Sequence, residues 1–146
     1  MTGSIRFICE FFASANWVWK YKPQWNNKWI TGFEITTIAQ GGRKGQIRIR
    51  ILCDQLYDLY KSWNKDKCPG SRNVYEKTFF RQIQKLGITK VPRLRINNAQ
   101  RTCSDLFANQ IRSLVKGMFP TYDFSLWSTE IPEELLILKQ ALTKYE

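Results

Sequence analysis

Hydrophobic and polar positions alternate with two different periods along this chain. Ile5, Ile8, Phe11, Phe12 and Ala15 recur at helical spacing behind Ser4, which predicts an amphipathic helix over about residues 5–14. In NWVWKYK the period shortens to two. Trp17, Trp19 and Tyr21 share one strand face, Val18 and Lys20 the other, and Pro23 ends the run. ITGFEITTI, residues 30–38, is β-branched and aromatic, with Phe33, Ile35 and Thr37 in alternation. QIRIRI then alternates strictly, placing Ile47, Ile49 and Ile51 against a core and Arg48 and Arg50 away from it. The two runs predict a β-hairpin whose tip is the glycine-rich AQGGRKGQ.

The helical period returns at Asp54, a capping residue followed by Leu56, Leu59, Tyr60 and Trp63 on one stripe. Cys68, Pro69 and Gly70 stop that helix. Ser71 or Asn73 is then placed to cap a second one, with Tyr75, Phe79, Ile83 and Leu86 as its inner stripe. Lys77, Arg81, Gln82, Gln84 and Lys85 occupy its other faces, and Gly87 is placed to close it in a left-handed conformation. ITKVPRLRINNAQRT predicts a further hairpin turning at Asn97 and Asn98. There Leu94 and Ile96 pack, Arg93 and Arg95 face outward, and Pro92 sits at the edge or start of its strand. Ser104 is expected to open a third helix with Phe107, Ile111, Leu114, Val115 and Met118 inside. Beyond Pro120 an aromatic stretch (Tyr122, Phe124, Trp127) leads to a last helix, with Pro132, Glu133 and Glu134 in its first turn and Leu135, Leu138 and Leu142 on its buried face.

This order of elements predicts the α+β class and, within it, a winged helix: a helix-turn-helix with β-hairpins. An aromatic-rich N-terminal segment (1–42) precedes the basic core (43–116), and an acidic C-terminal helix (117–146) follows, all within one domain over 1–146. Charge sharpens that division. Of the 23 Lys/Arg and 12 Asp/Glu behind the net charge of +11, residues 43–116 hold 17 cations against five acids. Residues 117–146 hold two cations against five acids, so the middle of the chain carries the whole excess. Such one-signed charge suits an anionic partner.

Several classes of chemistry lose ground on composition. The chain has no histidine, so Ser-His and Cys-His dyads and imidazole metal ligands are absent. Cys9, Cys53, Cys68 and Cys103 are widely spaced with no CxxC pair, and read as reduced, packed thiols. The GGRKG loop ends in no GK[ST] and opens no helix, so it is not a Walker loop. No metal, cofactor or catalytic residue is expected. No uncharged apolar run nears the ~20 residues that span a bilayer, and an intracellular protein (nucleus or cytoplasm of a host cell) with no membrane partner is the expectation.

Nucleic acid is the expected partner, with duplex DNA favoured and single strands or RNA left open. The candidate contacts are Arg43 and Lys44 in the glycine loop, Arg48 and Arg50 on the alternating strand, and Arg72 and Asn73 in the turn. Lys77, Arg81, Gln84 and Lys85 follow on the second helix, with Arg93, Arg95 and Arg101 on the last hairpin. Lys77, Arg81 and Lys85 recur every four residues and so share one stripe. Trp17, Trp19, Trp25 and Trp29 admit two readings: a platform for unpaired bases, or the core and interface role usual for tryptophan.

LYDLYKSW, a short polar link and FFRQIQKLGI resemble the C-terminal module of primase–helicases from poxviruses, phages and related mobile elements. FICEFF is similar to the short helix that opens that module. The matching positions are Leu56, Tyr57, Tyr60, Trp63, Phe79, Leu86 and Gly87, within about 50 residues of the chain. The resemblance implies a winged helix that helps a replication protein hold its DNA. The rest of a larger replication protein, or a second copy of the chain, would then be a partner. The Trp-rich insert and long tail depart from the pattern, and no ATPase or primase motif is present. Two alternatives compete with this DNA-binding expectation: a structural or docking protein built on the Trp cluster, and a metal-dependent nuclease assembled from acids such as Glu34 and Asp54.

Overall fold

The computed structural model describes residues 1–13, 34–96 and 98–124. The expected strand at Trp17–Tyr21, Trp25, Trp29, Asn97, Trp127 and the C-terminal helix all lie outside the described residues. Among the described residues, four helices and a four-stranded antiparallel sheet make an α+β fold. In chain order they are α1 (Gly3–Ala13), β1 (Glu34–Thr37), β2 (Ile47–Leu52), α2 (Cys53–Lys67), α3 (Glu76–Gln84), β3 (Thr89–Ile96), β4 (Ala99–Phe107) and α4 (Ala108–Met118). The strands lie side by side as β1-β2-β4-β3.

Both predicted hairpins form. β1 pairs with β2 in the register Glu34↔Arg50 to Thr37↔Ile47, and the loop between them turns through Gly41 and Gly45, both at positive φ. In β3–β4, Ile96 faces Ala99, and Asn98 takes φ +63° in the two-residue turn. β2 also pairs with β4, Ile49 opposite Leu106 and Ile51 opposite Ser104. Alternation therefore puts Ile49, Ile51, Ser104 and Leu106 on the sheet face that meets the core. Arg48, Arg50, Asp105 and Phe107 take the opposite face.

The helices cover the first of those faces. On α2 the predicted stripe is fully buried: Leu56, Leu59, Tyr60 and Trp63 are all 2% exposed or less. Asp54 does not cap this helix. Leu52 occupies the cap position directly off β2, leaving Asp54 in the first turn, where its charge still suits the helix dipole. At the other end the Cys68 N–H donates to the Asn64 carbonyl, and Gly70 at φ +86° turns the chain.

The link into α3 is held by side chains of α2. Asn64 donates to the Ser71 carbonyl (3.3 Å) and to Asn73 Oδ1 (2.9 Å). The Tyr57 hydroxyl donates to the Val74 carbonyl (2.8 Å), and the Val74 N–H donates to the Tyr60 hydroxyl (3.3 Å). Neither Ser71 nor Asn73 caps α3, because the helix begins later, with Tyr75 at the cap position. The inner stripe is consequently Phe79, Phe80, Ile83 and Leu86, and Tyr75 stands 85% exposed. Gly87 adopts the expected left-handed conformation, φ +77°.

Phe79 is the packing centre, with Tyr60 4.7 Å, Tyr57 5.6 Å and Phe7 6.1 Å away between ring centroids. α1 closes the group from the far side, burying Ile5, Phe7, Ile8, Cys9 and Phe11. It starts earlier than Ser4 suggested: Thr2 accepts from the Ile5 N–H (3.3 Å), and Ser4 lies inside the helix, donating to Gln82 Oε1 at 2.6 Å. Gln82 thus belongs to a helix contact rather than to the outer face of α3. Trp63 donates to Glu10 Oε2 at 2.6 Å, a second polar tie between α1 and the helical pair.

The third predicted helix begins four residues late. Ser104 is the middle of β4, paired to Ile51 on one side and Lys90 on the other, and α4 starts only at Ala108. Ile111 and Val115 are buried as expected, Leu114 and Phe107 are half-buried, and Met118 is exposed. Cys9, Cys53 and Cys103 are buried reduced thiols and Cys68 is half-buried. Among the described residues, no helix is long and apolar enough to cross a membrane.

Candidate nucleic-acid interface

The outer side of α3 and the start of β3 frame one open cleft of about 950 Å³. The α3 side supplies Tyr75, Glu76, Lys77, Phe80, Arg81 and Gln84; the chain beyond it supplies Ile88, Thr89, Lys90 and Ser104. The burial of Phe79, Phe80 and Ile83 faces Lys77, Arg81 and Gln84 outward, a consequence of the 3.6-residue turn. Lys85, just past the last helical residue, is exposed on the same side of the chain but does not line the cleft.

Phe80 and Ile88, 7% and 4% exposed, form an apolar floor. Across it lies Lys90, its Nζ 4.4 Å from the Phe80 ring centroid, a cation–π distance. Lys90 reaches that position because it opposes Ser104 on the helix-facing side of the sheet. The cleft therefore gathers three cations against a single acid, Glu76. Arg81 is steadied by a long hydrogen bond to Thr78 Oγ1 (3.4 Å).

Other predicted contacts are distributed around this centre. Arg72 is exposed in the turn leading to α3, whereas Asn73 spends its side-chain oxygen on Asn64. On the β3–β4 hairpin Arg93, Arg95 and Arg101 are all exposed, but they do not share a face. Arg95 opposes Gln100, while Arg101 opposes Leu94 and so lies on the other side of the ribbon. Arg93 sits in a bulge between Val91 and Leu94 with φ +60°, next to Pro92. Pro92 therefore lies within an edge strand at an irregularity, and Leu94 and Ile96 are only half-buried.

Four predicted cations stand apart from the cleft. Arg48 and Arg50 lie on the opposite face of the sheet. Arg50 makes a two-pronged ion pair with Asp105, Nε to Oδ1 at 2.7 Å and Nη2 to Oδ2 at 2.9 Å, which neutralises its charge. Arg43 lies over the Phe107 ring at 4.0 Å and donates to Gln110 Oε1 at 2.9 Å, so it pins the glycine loop to the start of α4. Lys44, beside it, is exposed. The four tryptophans Trp17, Trp19, Trp25 and Trp29 lie outside the described residues.

Tyr75 and Lys90 line the cleft although the sequence pattern assigned neither to the interface. Tyr75 fell into an apparent i, i+4 stripe that Phe80 in fact completes. Lys90 carried one usable signal, since it alternates with Thr89 and Val91 at the head of a strand whose other cations follow. Elsewhere burial favours the neutral form of two thiols and one phenol. Burial pushes the Cys9 thiol up to about 11 and the Cys53 thiol upward as well, the latter within 3.1 Å of Ser104 Oγ. Burial also raises Tyr57. Among the described residues, no three His, Cys, Asp or Glu side chains converge on a metal position. No family model, curated protein or solved structure matches the chain.

Proposed function

We propose that the region from α1 through β4 is a winged helix and that it binds DNA, with α3 as the reading helix and the β3–β4 hairpin as the wing. One observation carries this: the solvent side of α3 and the first residues of β3 bring Lys77, Arg81 and Lys90 to a single open cleft. The order α1, β2, α2, α3, β3, β4, with β4 between β2 and β3, is the arrangement such a domain needs, and β1 extends the sheet at its far edge. A recognition helix of this type enters the major groove, while hairpin cations meet phosphates on either side. Arg95 and Arg101, on opposite faces of the ribbon, suit a hairpin lying between two phosphate rows.

A place in a viral or mobile-element replication protein is the narrower proposal. Its support is the resemblance at Leu56, Tyr57, Tyr60, Trp63, Phe79, Leu86 and Gly87. Here these residues pack the helical pair or, at Gly87, turn the chain out of it. They argue for the scaffold; the cations argue for its use.

The test is a binding series on Lys77→Glu combined with Arg81→Glu, using duplex DNA, single-stranded DNA and duplex RNA at two salt concentrations. Each phosphate neutralised contributes roughly −0.9 to the slope of log K against log salt. The double variant is expected to flatten that slope by about two and to lose at least ten-fold in affinity at low salt. Unchanged affinity and slope for all three nucleic acids would remove α3 from the interface.

A further inference from the structure

We propose that the cleft between α3 and β3 holds a nucleotide whose base is unpaired, stacked on Tyr75, so that the preferred nucleic acid carries a single-stranded stretch beside its duplex. This deepens the DNA-binding reading and rests on it.

The chemistry of the cleft is mixed in a way that phosphates alone do not explain. A row of phosphates needs cations and N–H donors. It gains nothing from an apolar floor, and here Phe80 and Ile88 make one beneath Lys77, Arg81 and Lys90. A nucleotide with a free base presents both parts at once: an anionic phosphate for the three cations and a flat apolar face for the rings. Inside an intact duplex those faces are taken up by neighbouring bases, whereas an unpaired base can turn a whole face to a ring.

Tyr75 supplies the matching platform. It is 85% exposed, and among the described residues it is the one highly exposed large aromatic side chain. Such a ring usually buries its apolar body. Its backbone is nevertheless fixed. The Phe79 N–H donates to the Tyr75 carbonyl at 2.8 Å, and the preceding residue, Val74, is gripped through both its N–H and its carbonyl by Tyr60 and Tyr57. An exposed ring on an anchored backbone at the rim of a cationic cleft loses little freedom when a base settles on it. Glu76, the lone acid, repels phosphate at that end and leaves the far side, toward Arg81 and Lys90, as the place for the anionic group.

Affinity would be measured for a blunt duplex, the same duplex with a short single-stranded overhang, and the single strand alone. The proteins are the full wild-type chain, Tyr75→Ala, Tyr75→Phe and the Lys77→Glu/Arg81→Glu double variant. The wild type is expected to prefer the overhang over the blunt duplex by about ten-fold, the scale of one base–aromatic stack. Tyr75→Ala should remove that preference, so that overhang and blunt duplex bind within about two-fold of each other, and Tyr75→Phe should keep it. Because Tyr75 is exposed, its thermal melt should match the wild type, which separates lost stacking from lost folding. Equal wild-type binding to blunt and overhang substrates, or an overhang preference that survives Tyr75→Ala, overturns the stacking site while leaving the DNA-binding reading in place. Absence of binding to every substrate overturns both.

Discussion

Gly87 holds φ at +77°, and a Cβ built on it would lie 2.6 Å from the Gln110 amide carbon. Two separate costs therefore attach to Gly87→Ala. The left-handed backbone costs roughly 1–2 kcal/mol for any L side chain, and the clash with Gln110 adds to it. The second is with a flexible side chain, so it can be relieved. In urea unfolding, Gly87→Ala should destabilise by about 2 kcal/mol, and Gln110→Ala in the same chain should restore only the steric part. Full restoration would mean that the backbone carries no strain. Gly87 was legible because a glycine after an apolar stripe has one common use. Tyr75 was not legible, since at residue scale Phe79 and Phe80 both fit the inner stripe, and only the packing decides which ring is left outside. Asp54 is a similar case: a good capping residue is bypassed when the preceding strand runs straight into the helix.

Among the elements, β4 is where pattern and structure part most clearly. Ser104 and the apolar positions after it read as a capped helix, yet Ala99–Phe107 is a strand with partners on both sides. The ladder satisfies backbone groups of nine residues, and no local propensity outweighs that. The central position of β4 also explains why Asp105 can be buried. Its carboxylate meets the Arg50 guanidinium in two parallel hydrogen bonds, side chains 9% and 18% exposed. Asp105→Ala removes this pairing from a largely desolvated guanidinium and should cost about 3 kcal/mol, read as a lowered urea midpoint with unchanged slope. A loss under about 0.5 kcal/mol, the usual limit for a surface change, would show that the pair behaves as a solvent-screened one. α2 was the most legible element because its stripe, stop signals and length all agree. The cleft was legible only in half: the α3 cations followed from spacing, but Lys90 reaches it through a register that no single strand announces.

Across the whole molecule, the buried thiols give folding a pH dependence at the alkaline end. The Cys9 thiol rises from an ordinary value of 9 to about 11 in the fold, and Cys53 moves in the same direction. An unfolded chain releases these protons first, so the folded state binds more protons over that interval. Stability is then complete below about pH 9 and falls as pH climbs toward 11. Melts taken across that range should show the decline, with a shallower slope for Cys9→Ala whatever its starting stability. The same burial predicts that a thiol reagent modifies one cysteine quickly in the native protein, Cys68, and that Cys68→Ser abolishes the fast phase. Two or more fast thiols would mean that the core opens more readily than its packing implies.

The irregular middle of β3 has a consequence for how copies of the chain behave toward each other. Among the described residues β3 is the outermost strand of the sheet, and an outermost strand presents a row of unspent N–H and carbonyl groups to any neighbour. Pro92 removes one donor from that row, the bulge between Val91 and Leu94 breaks its spacing, and exposed Arg93 and Arg95 would meet their own like charges in a second copy. At the opposite edge β1 offers four residues among those described. Among the described residues, both edges of the sheet are thus poorly suited to templating fibrils or sheet-to-sheet clumping, so copies can meet at high concentration without fusing into an aggregate.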